Sequence, residues 1–187
     1  MKIMISTLEL EITRKCQLKC VHCMRGDAQN LDMSNEVIDR ILEDVGKIEH
    51  ALFTGGEPTL NIGAMRHFLE KLKISGIILN EVEIVTNGYD IPEDFVTLLK
   101  EYYEYATPYS ESDKITIHLF VSNDKYHVEQ GCNPEQALKR YQQIFNGYDR
   151  MELGLHTVAE EEVVSAGRAT RLAEAIPKKT IDRKSVV

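Results

Sequence analysis

Three thiols crowd the stretch 13–25, Thr-Arg-Lys-Cys-Gln-Leu-Lys-Cys-Val-His-Cys-Met-Arg, where Cys16, Cys20 and Cys23 stand in the spacing C-x3-C-x2-C. Soft thiolates at that density select iron–sulfur clusters or zinc. A structural zinc site takes four closed ligands, and an electron-transfer cubane takes four cysteines. Three cysteines leave one iron of a cubane open to a small molecule. His22 lies between Cys20 and Cys23, where a residue is poorly placed to turn toward the metal its neighbours hold. Read from the residues alone, zinc, iron–sulfur and chance clustering of buried thiols all stay open.

The elements around this loop are legible from periodicity. Leu8-Glu9-Leu10-Glu11-Ile12-Thr13 alternates strictly and predicts a strand leading into the cysteines. Ser34 is placed to cap a helix carrying Val37, Ile38, Ile41, Leu42 and Val45, with Gly46 near its end. A short strand over 50–54 enters Gly55-Gly56-Glu57-Pro58, and a helix over about 62–74 stops at Ser75-Gly76. A strand over 81–86 ends in the turn Asn87-Gly88, and Pro92 opens a helix through about Tyr105. In the strand over 114–122, Ile115, Ile117, Leu119 and Val121 form one face, and Thr116, His118, Phe120 and Ser122 the other. A helix over 134–145 and a strand over 151–158 follow.

Strands alternating with helices predict an α/β fold with a parallel sheet built from βαβ units. A parallel sheet covered on both faces has nearly unbroken apolar strands. Here Glu9, Glu11, Glu83, His118, Glu152 and His156 fall at positions consistent with one shared face. That pattern predicts helices outside and a polar cavity within, and an open sheet with one wet face is the alternative. His118 and His156 read as satisfied core histidines in preference to cavity-lining ones.

With its C-x3-C-x2-C loop after the first strand and Gly55-Gly56-Glu57-Pro58 after the second, the chain resembles the radical S-adenosylmethionine (SAM) enzymes. His22 stands where that family usually has an aromatic residue. Thr86-Asn87-Gly88 and Gly167-Arg168-Ala169 resemble further family segments. The resemblance covers about residues 5–170. It implies a parallel partial (β/α)6 barrel, of which about five βα units are present here. It also implies a [4Fe-4S] cluster on Cys16, Cys20 and Cys23, with SAM chelating the fourth iron. Reductive SAM cleavage would then give a 5′-deoxyadenosyl radical that abstracts hydrogen from a peptide or small-molecule substrate. A flavodoxin- or ferredoxin-type reductant is implied as partner. Carried over by motif, Gly55, Gly56, Glu57, Pro58, Thr86, Asn87, Ser122, Asp124 and Arg168 are the expected SAM-binding residues. Glu57 would face the amino group of SAM and Arg168 its carboxylate, with Ser122 and Asp124 near the ribose. Cys132 reads as a buried thiol outside the cluster. A non-catalytic iron–sulfur or zinc-binding relic is the competing reading, and retention of the whole GGEP segment speaks against it.

Composition narrows the partners. The 187 residues hold 22 Lys plus Arg against 30 Asp plus Glu, a net charge of −8, which disfavours nucleic acid. No stretch reaches transmembrane length, no signal peptide precedes the acids at Glu9 and Glu11, and thiols in metal-ligand spacing suit a cytoplasmic location. The charged segment 160–179 is expected to be partly helical. Asp182-Arg183-Lys184-Ser185-Val186-Val187 looks like a translated sequencing adapter. The expected organisation is therefore a core domain over 1–181, incomplete at its C-terminus, followed by a non-native tail over 182–187.

Overall fold

The computed structural model describes residues 2–105, 115–157 and 166–170. Five strands, β1 (Ile3–Thr13), β2 (Val45–Gly55), β3 (Ile78–Thr86), β4 (Thr116–Ser122) and β5 (Met151–His156), form one sheet in the order β1-β2-β3-β4-β5. Every neighbouring pair is parallel. Right-handed crossovers between strands taken in chain order place the longer helices on one side and leave the other side concave. The architecture is a partial barrel.

Helices α1 (Asn35–Leu42), α2 (Ile62–Ser75), α3 (Glu93–Tyr103), the short α4 (Lys125–Glu129) and α5 (Pro134–Ile144) connect the strands. Local chemistry sets their ends. The Asn61 side chain accepts from Ala64 N, and Gly76 closes α2 in the left-handed region, φ 62°, with Ile77 N donating to Leu72 O. Asn133 caps α5 through Gln136 N, and Pro134 occupies its first turn. The expected helix through Val45 is one turn shorter, ending at Leu42. Val45 follows Ile41 at helical spacing, but it is the first residue of β2 and pairs with Ile3. Both roles bury it, so periodicity could not separate them. Ser34 does precede α1, although its side chain makes no capping bond.

The convex face of the sheet is the core. Leu10, Ile12, Ala51, Phe53, Val82, Ile84, Ile117, Leu119 and Val121 are buried there against the helices. Ile115, Ile117, Leu119 and Val121 share that face as alternation predicts. The opposite face is polar. Register aligns Glu9, Leu52, Glu83, His118 and Glu152 across all five strands in one row. His118 Nδ1 lies 3.0 Å from Glu152 Oε2, and His50 Nε2 lies 3.2 Å from Glu83 Oε2. His118 and His156 are thus on the inner face, not core histidines, because β4 and β5 alternate toward the concavity at these positions. Beyond its stretch 166–170, the segment 160–179 lies outside the described residues, as do Val158 and 182–187.

Phe53 sits at the centre of the core, edge-on to Phe68 (5.2 Å between centroids) and Tyr102 (6.3 Å). Truncating a fully buried phenylalanine removes its transfer energy and leaves a cavity. Phe53→Ala is expected to cost about 3–5 kcal/mol in urea unfolding, whereas Val37→Ala, on the exposed side of α1, is expected to stay within about 0.5 kcal/mol.

Candidate functional site

Strand β1 ends at Thr13, and the chain then has to leave the sheet at the barrel mouth. Thr13 is fully buried; its hydroxyl donates to Asp32 Oδ1 (2.7 Å) and accepts from Lys15 N (3.0 Å). Its carbonyl accepts from Gly56 N (2.8 Å), and the Lys15 carbonyl accepts from Glu57 N (2.8 Å). The cysteine loop is therefore stitched, backbone to backbone, onto the segment that follows β2. A Cβ on Gly55 would collide with Thr13 O, and one on Gly56 with Lys15 O. These two glycines make room for the neighbouring chain.

Glu57 is almost wholly buried. Its Oε1 accepts from Thr59 N (3.1 Å), Thr59 Oγ1 (2.7 Å) and Thr86 Oγ1 (2.8 Å), and its Oε2 accepts from Asn87 N (2.8 Å). Burial pushes this carboxyl above its ordinary value against the pull of the Asn87, Thr59 and Thr86 donors. Its acceptor capacity is nearly filled from within the protein. The residue ties the end of β2 to the end of β3. These bonds add a structural role to the contact with an amino group of SAM that the motif leads one to expect. Thr86, also buried, spends its hydroxyl on Glu57 and on Gly88 N. Pro58 is buried and opens a 3-10 turn over Pro58–Asn61.

Cys16, Cys20 and Cys23 are all free thiols, and all three line one cavity of about 380 Å³ at the barrel mouth. Gly55, Gly56, Glu57, Asn87, Ser122, Asp124, His156 and Arg168 line the same cavity. Thiols and motif residues separated by more than 140 positions thus converge. Leu18 N donates to Cys16 Sγ (3.4 Å), and Asn87 Nδ2 approaches it at 4.0 Å. Burial pushes the Cys16 thiol up and the Cys20 thiol up to about 12. Cys132 is buried in a small cluster with Leu18, Cys20 and Tyr126, behind the cavity lining, and burial pushes it up to about 11.

Arg168 is largely engaged in holding the loop, and Asp124 in capping α4. Arg168 N donates to Cys23 O (2.9 Å), its Nε to Cys20 O (2.9 Å) and its Nη1 to Asp27 Oδ1 (3.0 Å). Gly167, at φ 54°, packs against Gly26 so closely that a Cβ would strike the Met24 carbonyl. The guanidinium therefore braces the cysteine loop, since two of its donors are already spent. Asp124 caps α4, accepting on Oδ1 from Tyr126 N (3.0 Å) and His127 N (3.1 Å). Burial opposes its ionisation, but the bonds and charge of His127 outweigh that and hold the carboxyl below its usual range. His22 stacks on Tyr126, centroids 4.4 Å apart.

Two contributors were missed by sequence reading. Arg25 crosses from the loop to the inner face, with Nη1 3.0 Å from Glu11 Oε1 and Nη2 donating to Thr54 Oγ1 (3.0 Å). His127 completes a contact with Asp124, and the Asp-x-x-His spacing after β4 was the available signal.

Residues 10–144 match the family model of the radical SAM superfamily. The GTP 3',8-cyclase of Clostridium acetobutylicum is 30% identical over 96 residues, 48% of this chain and 29% of that enzyme. The GTP 3',8-cyclase of Petrotoga mobilis is 25% identical over 188 residues, 96% of this chain and 53% of that one. The chain thus spans from under a third to about half the length of these curated relatives. Among solved structures, native anSMEcpe with bound AdoMet and Cp18Cys peptide superposes with a TM-score of 0.55 at 20% identity, covering 83% of this chain and 42% of that one. Streptococcus suis SuiB bound to precursor peptide SuiA gives 0.53 at 20% identity, covering 86% and 35%. At that identity the likeness is one of fold.

Two outcomes follow from the site's packing. Glu57→Ala leaves four buried or half-buried donors without their acceptor and is expected to cost about 3 kcal/mol or more in urea unfolding. An unchanged midpoint would mean that the knot contributes nothing. In the metal-free protein, a Cys20 thiol near 12 holds about a thousandfold less thiolate than one at the ordinary value of 9.0. Iodoacetamide followed by mass spectrometry at pH 8 is therefore expected to label Cys20 at least about 100-fold more slowly than a free thiol of ordinary acidity added to the same reaction.

Proposed function

The chain belongs to the radical SAM superfamily, whose enzymes use a [4Fe-4S] cluster and S-adenosylmethionine, and we propose that Cys16, Cys20 and Cys23 hold that cluster here. One observation carries the reading: three free thiols on a single loop line one cavity, and no fourth thiol does so among the described residues. The donor set fits the group. Three soft ligands suit iron–sulfur ligation, and the burial that pushes the Cys16 and Cys20 thiols up makes a bound cation the natural replacement for their protons. When bound, the cluster and SAM supply reductive cleavage of a sulfonium and hydrogen abstraction from a substrate.

The chain's own work is positioning and exclusion of water. Gly55, Gly56 and Glu57 fix the depth of the cysteine loop by locking it to β2 and β3. Asn87 directs its amide toward Cys16 Sγ, a contact of the kind that tunes a metal centre through its ligand. Arg168 holds two carbonyls of the loop, Cys20 O through its side chain and Cys23 O through its backbone N–H. Ser122 and His156, register partners at the ends of β4 and β5, are the groups proposed to meet the nucleoside part of SAM. A flavodoxin- or ferredoxin-type protein is the proposed electron donor.

For the substrate, the inner face supports a peptide or a neutral or cationic small molecule. Glu9, Glu83 and Glu152 lie in one row across it, and a triphosphate entering there would meet like charge.

Anaerobic reconstitution tests the ligand set. The wild type and Cys132→Ala are expected to take up about four iron per chain, while Cys16→Ala, Cys20→Ala and Cys23→Ala each lose stable incorporation. With dithionite, the wild type is expected to convert SAM to methionine and 5′-deoxyadenosine. Full iron and sulfide in Cys20→Ala would overturn the assignment.

A further inference from the structure

Beside the cysteine loop, a second group of ligating side chains converges that the proposed chemistry does not use. His127 Nδ1 is 2.7 Å from Asp124 Oδ2, and His22 Nε2 is 3.6 Å from the same oxygen. All three donor atoms lie within 4.8 Å of one another. We propose that His22, Asp124 and His127 form a second metal site, a mononuclear centre of two histidines and one carboxylate for a first-row divalent cation such as zinc.

Geometry supports it first. Zinc binds imidazole nitrogen and carboxylate oxygen at about 2.0–2.2 Å, so ligand atoms around it stand about 3–4 Å apart. Side-chain adjustments of about an ångström bring the three atoms to those separations. The donor set supports it next. Two imidazoles and one carboxylate suit zinc or ferrous iron, whereas magnesium and calcium prefer oxygen alone.

The ligands are also oriented in the manner of a metal centre. Asp124 Oδ1 is fixed by two backbone N–H groups of α4, which leaves Oδ2 to face the histidines. Such bonds to the far side of a ligand set its direction. The His22 ring is held by its stack on Tyr126, at an interplanar angle of 16°, and presents Nε2 to Asp124. All three side chains are mostly buried, and all three line the cavity, which leaves coordination positions open on that side. A cation here would pin α4 to the Cys20–Cys23 segment, a cross-link between the loop after β1 and the turn after β4.

Zinc is the probe, because its absorption edge is separate from that of iron. The full chain, reconstituted with iron and sulfide and then given a small excess of Zn²⁺, is desalted and measured by metal analysis and zinc-edge X-ray absorption. About one zinc per chain is expected, in a nitrogen–oxygen shell near 2.0–2.1 Å with imidazole scattering. His127→Ala and Asp124→Asn are each expected to reduce retained zinc to background while keeping wild-type iron content, so loss of this site is distinguishable from failure of the cluster. Asp124→Asn preserves the α4 cap, which guards against a folding defect in the other variant. The proposal is overturned if no zinc is retained. It is equally overturned if the zinc carries sulfur at about 2.3 Å, which would place it on the cysteines, or if both variants retain it in full.

Discussion

One buried carboxylate organises the mouth of this barrel. Glu57 accepts four hydrogen bonds, from Thr59, Thr86 and Asn87, while its own N–H donates to the Lys15 carbonyl. Three strand ends are thereby joined at a single residue: β1 through the loop it leads into, β2 directly and β3 through Thr86 and Asn87. A charge placed so deep is tolerated only when its acceptor sites are filled. The site's shape therefore depends on these partners all being present. The cysteine loop has little regular structure of its own, and it takes its depth from this knot and from the bracing of Arg168.

The two faces of the sheet divide the labour. On the convex side, close-packed Phe53, Phe68, Leu119 and their neighbours supply the stability. On the concave side lie most of the sheet's polar side chains, with Glu83, His118 and Glu152 paired across strands. Because β-strand side chains alternate, one residue of register slip would exchange these faces entirely. The apolar runs in β3 and β4 make such a slip costly, and so they hold the functional row in line.

The chain's membership of the radical SAM superfamily accounts for the thiols and the glycine-rich segment. The superfamily does not by itself account for the His22, Asp124 and His127 group, nor for the acid-rich inner face. Function on a shared fold is decided by the particular side chains a site presents. Among the described residues no helix is long and apolar enough to cross a membrane.

Much of this was legible in the residues themselves. Alternation in 8–13 and 115–122 announced strands and their buried faces, because the two-residue period of a strand is local geometry. The spacing of Cys16, Cys20 and Cys23 announced thiols gathered at one place for the same reason, since residues close in sequence are necessarily close in space, and the three do line one cavity. What lay beyond reach was every role that depends on long-range packing. That the Glu57 carboxylate ties strand ends together depends on Thr86 and Asn87, some 30 residues away. That Gly55 and Gly56 make way for the chain after β1, and that Arg168 braces carbonyls 145 or more positions earlier, depends on how the strands are ordered. The boundary at Val45 failed for a related reason, since helix and strand would both bury it. Local pattern reports which face of an element is covered; only the tertiary structure decides what covers it, because that partner comes from a distant part of the chain.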